Sequence, residues 1–391
     1  MFHISTESSL RVEQTTITNI NTEDSGAVLF CLSSNATFIS TTMSGLTAFS
    51  GGFALLNQNS ILNLESGTSI TTVSASESDS IVSAFDSTIN LSGSTFTGFD
   101  NTGIFGSSLK GMTIDNCSFI NSMSKEFNGG AISCDKCDAM TVRNSKFTNS
   151  TSPLGGAIYI SNERSNILDG SFSITNNEFD SNQAGQGGAL WADNSNILIH
   201  NNVFKNNSAG FYDFPVTISN EQESGGGVRL ICTRWTTCTY DLNANTFDGN
   251  RGANSGGAIS WDGTKPDGLE ANTFENNEAS YGAALASYPT HLVAVDENNQ
   301  PLSRRLQDSN STSITTMSNV QSGSVTDIVL RAALTDEAGT IITNDNTSTA
   351  LLLSPDDGVS LTGTLQVTAV NGIFVFDNFA VIADPGTKVS F

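Results

Sequence analysis

Apolar positions in this chain fall in short stretches that read as strands, such as Ala157-Ile-Tyr-Ile160, Ser195-Asn-Ile-Leu-Ile-His200 and Ala258-Ile-Ser-Trp261. Clusters of Gly, Asn, Ser and Asp bound them, and these are turn formers. The 3.6-residue period of Leu-, Ala-, Glu- and Lys-rich helical repeats is missing. A longer repeat lies above this pattern. From Cys117 to Leu285 an Asn-rich Phe turn (Phe119, Phe147, Phe179, Phe204, Phe247, Phe274) alternates with a Gly-Gly-Ala turn beginning at Gly129, Gly155, Gly187, Gly225, Gly256 and Gly282. In the last four Phe turns Asn182, Asn207, Asn250 and Asn277 follow the ring by three positions. Such self-similarity means one unit stacked on its copies.

A unit of about 26 residues holds about three strands of four to five residues and three turns. Coiled, it makes a parallel β-helix whose rungs hydrogen-bond at about 4.8 Å. Each Phe then points inward and stacks on its neighbours, contributing roughly 1.5–3 kcal/mol on burial. The Asn residues suit left-handed turns, and their amides can bond rung to rung. The paired glycines turn where a Cβ would clash.

These residues carry a resemblance. F-x-x-N with G-G-A-[ILV] resembles the repeats of chlamydial polymorphic outer-membrane proteins and the β-helix segments of ciliate and other protist surface proteins. The resemblance implies a right-handed parallel β-helix of pectin-lyase-like architecture, used for adhesion or surface display. Degenerate copies continue upstream, where Ile17-Thr-Asn-Ile20 precedes Ser25-Gly-Ala-Val28 and Ser94-Thr-Phe96 precedes Asn101-Thr-Gly-Ile104. Residues 1–288 read as one solenoid of about ten rungs, or roughly 50 Å of rod, with insertions at Ser208–Ser224 and Cys232–Tyr240.

Beyond Tyr288-Pro289 the motifs stop and period-two runs follow, among them Ile328–Leu334, Leu365–Val370 and Ile373-Phe-Val-Phe376. About seven short antiparallel strands over 289–391 suggest an immunoglobulin-like β-sandwich. Leu334–Asn346 with Val367–Phe379 and Pro385-Gly386 resembles the Ig-like modules that follow β-helices in ciliate surface proteins. The expected fold is all-β. Gln300–Gly323, with Arg304-Arg305, reads as a long loop. Lys388-Val-Ser-Phe391 reads as a final strand reached abruptly. The expectation is therefore a piece of a longer polypeptide, or an end completed by a neighbour's strand.

Composition narrows the function. With 16 basic against 39 acidic residues the net charge is −23, which disfavours nucleic acid and repels anionic membranes. No apolar run approaches the roughly 20 residues of a membrane span. Six cysteines, Cys31, Cys117, Cys134, Cys137, Cys232 and Cys238, are an even set suited to a secretory route. Cys232 and Cys238 read as a pinned hairpin around Arg234-Trp235; Cys134 and Cys137 read as a disulfide with Cys117 as rival partner. N-glycosylation sequons stand at Asn35, Asn90, Asn149, Asn206, Asn310 and Asn346. A seventh, Asn116, reads instead as a ladder residue.

Catalysis must be weighed, because many parallel β-helices cleave acidic polysaccharides with paired carboxylates. The N-T-D, G-H-G and R-I-K signatures of the family's hydrolases and the W-x-D-H signature of its lyases are absent. Asp193, Asp262 and Asp267 follow strands bearing Trp191 and Trp261, a set suited to a sugar-binding face. Core packing of the tryptophans is the reading preferred here. His3, His200 and His291 are isolated in sequence. Asp345 between Asn344 and Asn346, with Asp296-Glu297, is reminiscent of a calcium linker, but an Asx turn explains it as well. The sequence thus points to an extracellular or cell-surface, glycosylated, non-enzymatic structural or adhesive protein. It needs no cofactor or metal and assembles with copies of itself end to end. A polysaccharide-binding or polysaccharide-cleaving enzyme is the alternative, and a glycan-recognising adhesin a third reading.

Overall fold

The computed structural model describes residues 2–75, 80–162, 171–211, 223–233, 237–302, 321–325, 329–354, 356–387 and 389. Arg234-Trp235, Arg304-Arg305, Asn310 and Phe391 lie outside them. The chain divides into two compact units, Met1–Ala286 and Ser287–Phe391.

The first unit is a parallel β-solenoid of ten rungs. Three long sheets run along it, with eleven, nine and ten strands, each strand pairing in parallel with its counterpart one rung on. The first sheet opens each rung (Phe2–Ser5 in rung one, Ile259–Asp262 in rung ten), the second follows (Ser9–Glu13 to Tyr240–Asn243), and the third closes it (Thr16–Asn21 to Thr273–Glu275). From rung six a fourth sheet of five short strands appears, Thr151–Leu154 to Glu278–Tyr281. Three strands per unit is therefore an undercount in the C-terminal half.

The Phe positions are in one register. Phe96, Phe119, Phe147, Phe179, Phe204, Phe247 and Phe274 are successive partners in the third sheet, and their rings stack at 4.7–5.4 Å. Ile17, Met43 and Ile70 hold the same position in rungs one to three. The degenerate early copies are thus the same unit with an aliphatic knob.

The two glycines of the Gly-Gly-Ala turn act differently. Gly155 has φ +62°, and a Cβ there would lie 2.1 Å from its own rung's Ile158 carbonyl. Gly156 has ordinary φ, but a Cβ would lie 2.1 Å from the Gly188 carbonyl of the next rung. The first glycine permits the turn, and the second permits stacking.

Asparagine divides into two roles at each of two corners. The first corner residue takes left-handed φ and faces solvent, as Asn176 and Asn201 do. The residue after it points inward and is buried. Asn177, Asn202, Asn245 and Asn272 form one internal ladder, and Asn182, Asn207, Asn250 and Asn277 a second. Each ladder amide also donates to a strand carbonyl of the preceding rung, as Asn202 Nδ2 does to Ile174 O at 2.8 Å. Earlier rungs place Thr15, Thr41, Thr68, Ser94, Cys117 and Ser145 at the first ladder position, where side chains bond to a carbonyl two or three residues back in their own rung.

Among the described residues the second unit contains seven antiparallel strands, arranged as one three-stranded sheet (Pro289–Ala294, Leu330–Asp336, Ile373–Phe376) and two two-stranded sheets. Its core gathers Leu352, Phe374, Phe376, Phe379 and Val381. These are small antiparallel sheets, a coarser arrangement than the two-sheet sandwich expected from the sequence.

Candidate functional site

Strand alternation exposes two columns of the second sheet. One runs Thr37, Asn63, Asn90, Thr113; the other runs Ile39, Glu65, Ser92, Asp115, Arg143. Over rungs three to six they line an open groove of about 380 Å³. On its floor Asn90 Nδ2 donates to Asn63 Oδ1 at 3.0 Å, and Asn63 Nδ2 to Thr37 Oγ1 at 3.2 Å. Arg143 Nη2 donates to Asp115 Oδ2 at 2.9 Å, and Asn144 Nδ2 to Asp115 Oδ1 at 2.8 Å. Those donors, Asn144 first, hold the Asp115 carboxyl below its ordinary range. Asp115 is therefore suited to remaining ionised rather than exchanging a proton. Glu65 stands two rungs away, about 9.6 Å by rung spacing. Chemically this is a polar trough with one committed ion pair.

The two tryptophans do not share a face. Trp191 is the second residue of Leu190–Asp193, pairs with Tyr159 and Arg229, and points outward. Trp261 is the third residue of Ile259–Asp262, pairs with Leu230, and is fully buried. A one-residue offset in a period-two strand separates them. Trp191 stacks on Tyr159 at 4.8 Å and is only 7% exposed. Asp193 is buried and accepts from Asn162 N at 3.0 Å. Asp262 pairs with Arg229, and Asp267 bridges to Asp241. The preferred packing role holds for both tryptophans, one in the core and one in a covered stack, and the alternative Trp–Asp sugar face is not formed.

The disulfides Cys134–Cys137 and Cys232–Cys238 pin the same corner, between the first and second sheets, in rungs six and nine. Cys31 and Cys117 are free and buried, which corrects their place among the disulfide candidates. Cys117 sits at the other corner, where its Sγ donates to Asp115 O, so rung proximity to Cys134 brings no contact. Burial raises its thiol pKa to about 11.

Asn149 and Asn206 hold exposed left-handed corners. Asn116 does too, with φ +52°, and Cys117 takes the ladder place; its reading as a ladder residue is corrected. Asn35 is exposed at the start of its strand, Asn90 is half-buried in the groove, and Asn346 is exposed in a turn. Asp345 Oδ1 accepts from Thr347 N and Ser348 N, both at 3.0 Å. Burial opposes ionisation there, but the Thr347 and Ser348 donors outweigh it and hold the carboxyl below its usual range. Asp296 Oδ1 accepts from Asn298 N and Gln300 N, both at 2.8 Å. Each aspartate is engaged by its own turn. His200 Nε2 lies 3.0 Å from Asp241 Oδ2, His3 of rung one edges Phe30 of rung two, and His291 Nδ1 is 2.6 Å from Thr290 Oγ1. Among the described residues no group of three or more His, Cys, Asp or Glu could hold a metal, and no helix is long and apolar enough to cross a membrane.

This geometry defines a parallel β-solenoid. A family model described as a right-handed β-helix region matches residues 61–220, which span the third rung into the eighth. No curated protein and no solved structure matches the chain.

Proposed function

We propose that this chain is an extracellular, N-glycosylated structural or adhesive protein of the kind its repeats resemble in chlamydial and protist surface proteins. In this reading the second unit serves as an Ig-like module and the solenoid as a display rod. The observation that carries the proposal is how the polar side chains are used. Buried Asn and Phe serve cohesion from rung to rung, while Asn116, Asn149 and Asn206 present sequons on outward corners. The two corner disulfides support a secretory route. Self-assembly end to end would use the outermost strands of each sheet, such as Thr273–Glu275. Secretion in a glycosylating host followed by glycopeptide mapping tests the reading. Occupied Asn149 and Asn206 support it, and bare sequons with reduced cysteines count against it.

Glu65 and Asp115 in the second-sheet groove favour a second reading, polysaccharide binding with or without cleavage. The Arg143–Asp115 pair argues against cleavage, since the groove's basic group is already neutralised. Incubation with neutral and acidic polysaccharides separates the two. Product release that Glu65→Gln abolishes would establish an enzyme; binding without product would establish a glycan-recognising adhesin.

A further inference from the structure

The third sheet of rungs one to five presents an uncharged face rich in hydroxyl residues. Its strands, Thr16–Asn21, Thr42–Ala48, Ser69–Ala75, Thr95–Phe99 and Ser118–Ser122, contain no charged residue, in a chain with 39 acidic and 16 basic residues. Four consecutive rungs repeat one rank: Thr16-Ile17-Thr18, Thr42-Met43-Ser44, Ser69-Ile70-Thr71 and Thr95-Phe96-Thr97. Their register is unbroken, so the hydroxyl residues form two straight columns. The central residue of each rank points into the core, and the flanking hydroxyl residues face outward, exposed or half-buried. None of these hydroxyls has a hydrogen-bond partner among the described residues, unlike the inward Thr41, Thr68 and Ser94.

Backbone geometry fixes the spacing of this array at about 4.8 Å along the coil and about 6.6 Å across it. A ligand that used all of it would itself be periodic, hydroxyl-like and able both to donate and to accept. The outward positions carry no charge with strongly held hydration and no aromatic ring on which a sugar could stack. A lattice of water meets these requirements, because ice presents periodic rows of oxygens that each donate and accept. We propose that this face binds ice: unpartnered hydroxyls anchor ordered water, and threonine methyls fill the gaps between ranks. The proposal goes beyond the structural and adhesive reading and does not depend on it.

Thermal hysteresis and inhibition of ice recrystallisation, measured on the full chain, test it. The expected result is faceted ice crystals and measurable hysteresis. Thr71→Lys and Thr42→Lys, two independent disruptions of the array, should each lose most of that activity while keeping the wild-type far-UV spectrum and melting temperature. Ser173→Lys, outward on the second sheet, should retain it. Absence of both activities at millimolar protein overturns the proposal. Equal activity in the folded array variants and Ser173→Lys overturns it too, as does binding to crystalline cellulose or chitin without any effect on ice.

Discussion

Asn202 Nδ2 donates to Asn245 Oδ1 at 3.0 Å although 43 residues separate them. The neighbouring pair on the same coil, Asn177 and Asn202, spans only 25. The amide ladder thus keeps the rungs in register although the chain between successive steps differs widely in length.

Removing one step should cost far more than removing an exposed asparagine nearby. Asn202→Ala leaves the Asn177 backbone N–H without its acceptor and takes one side-chain donor each from the Ile174 carbonyl and Asn245 Oδ1 in the interior, a loss of about 3 kcal/mol. Asn206→Ala forces alanine into φ +53° and should cost only about 1 kcal/mol, while Asn206→Gly should be nearly neutral. Chemical denaturation of the three variants checks the order.

One corner is strained as it stands. Ala244 has φ +55° where earlier rungs place Asn144, Asn176 and Asn201. Ala244→Gly should therefore stabilise the solenoid by about 1 kcal/mol, visible as a raised Tm.

The stacking glycines should be the least replaceable small residues. In Gly188→Ala the new methyl would lie 2.1 Å from the Gly226 carbonyl, backbone against backbone. Loss of folded protein is expected. Gly111→Ala, with nothing within 4 Å of its Cβ, should fold normally.

Cys117 predicts an alkaline weakness. Its folded pKa of about 11 lies above the 9.0 of a free thiol, so the folded state holds the proton more tightly than the unfolded chain. That contribution is complete below pH 9 and is lost as pH rises to about 11. Cys117→Ser should flatten the stability profile over that window. Asp115 acts in the opposite direction: its lowered carboxyl pKa gives stability above the unfolded value that is lost as pH falls through the folded one, and Asp115→Asn should remove that acid slope.

The coil was legible because its chemistry repeats. Phe179 with Asn182, and Gly187 with Gly188, stand at spacings that only stacked rungs explain. Which asparagine points inward is harder to read, since Asn116 and Cys117 differ by one residue and one Ramachandran basin; an αL residue precedes the inward one at Asn177, Asn202, Asn207 and Asn277, and that order is the usable signal. Trp191 and Trp261 stand in similar strands, yet a one-residue offset sends them to opposite faces. The fourth sheet escaped notice because strands as short as Ser208–Ala209 leave no periodicity to detect. The groove was invisible for another reason: Glu65, Asn90 and Asp115 come together only through register.

Electron cryo-microscopy of the native material tests the central claim most directly. A glycosylated structural polymer predicts subunits joined end to end through their terminal strands, with sugar density on Asn149 and Asn206. Isolated, unglycosylated particles with a substrate-like ligand in the groove beside Glu65 and Asp115 would contradict it.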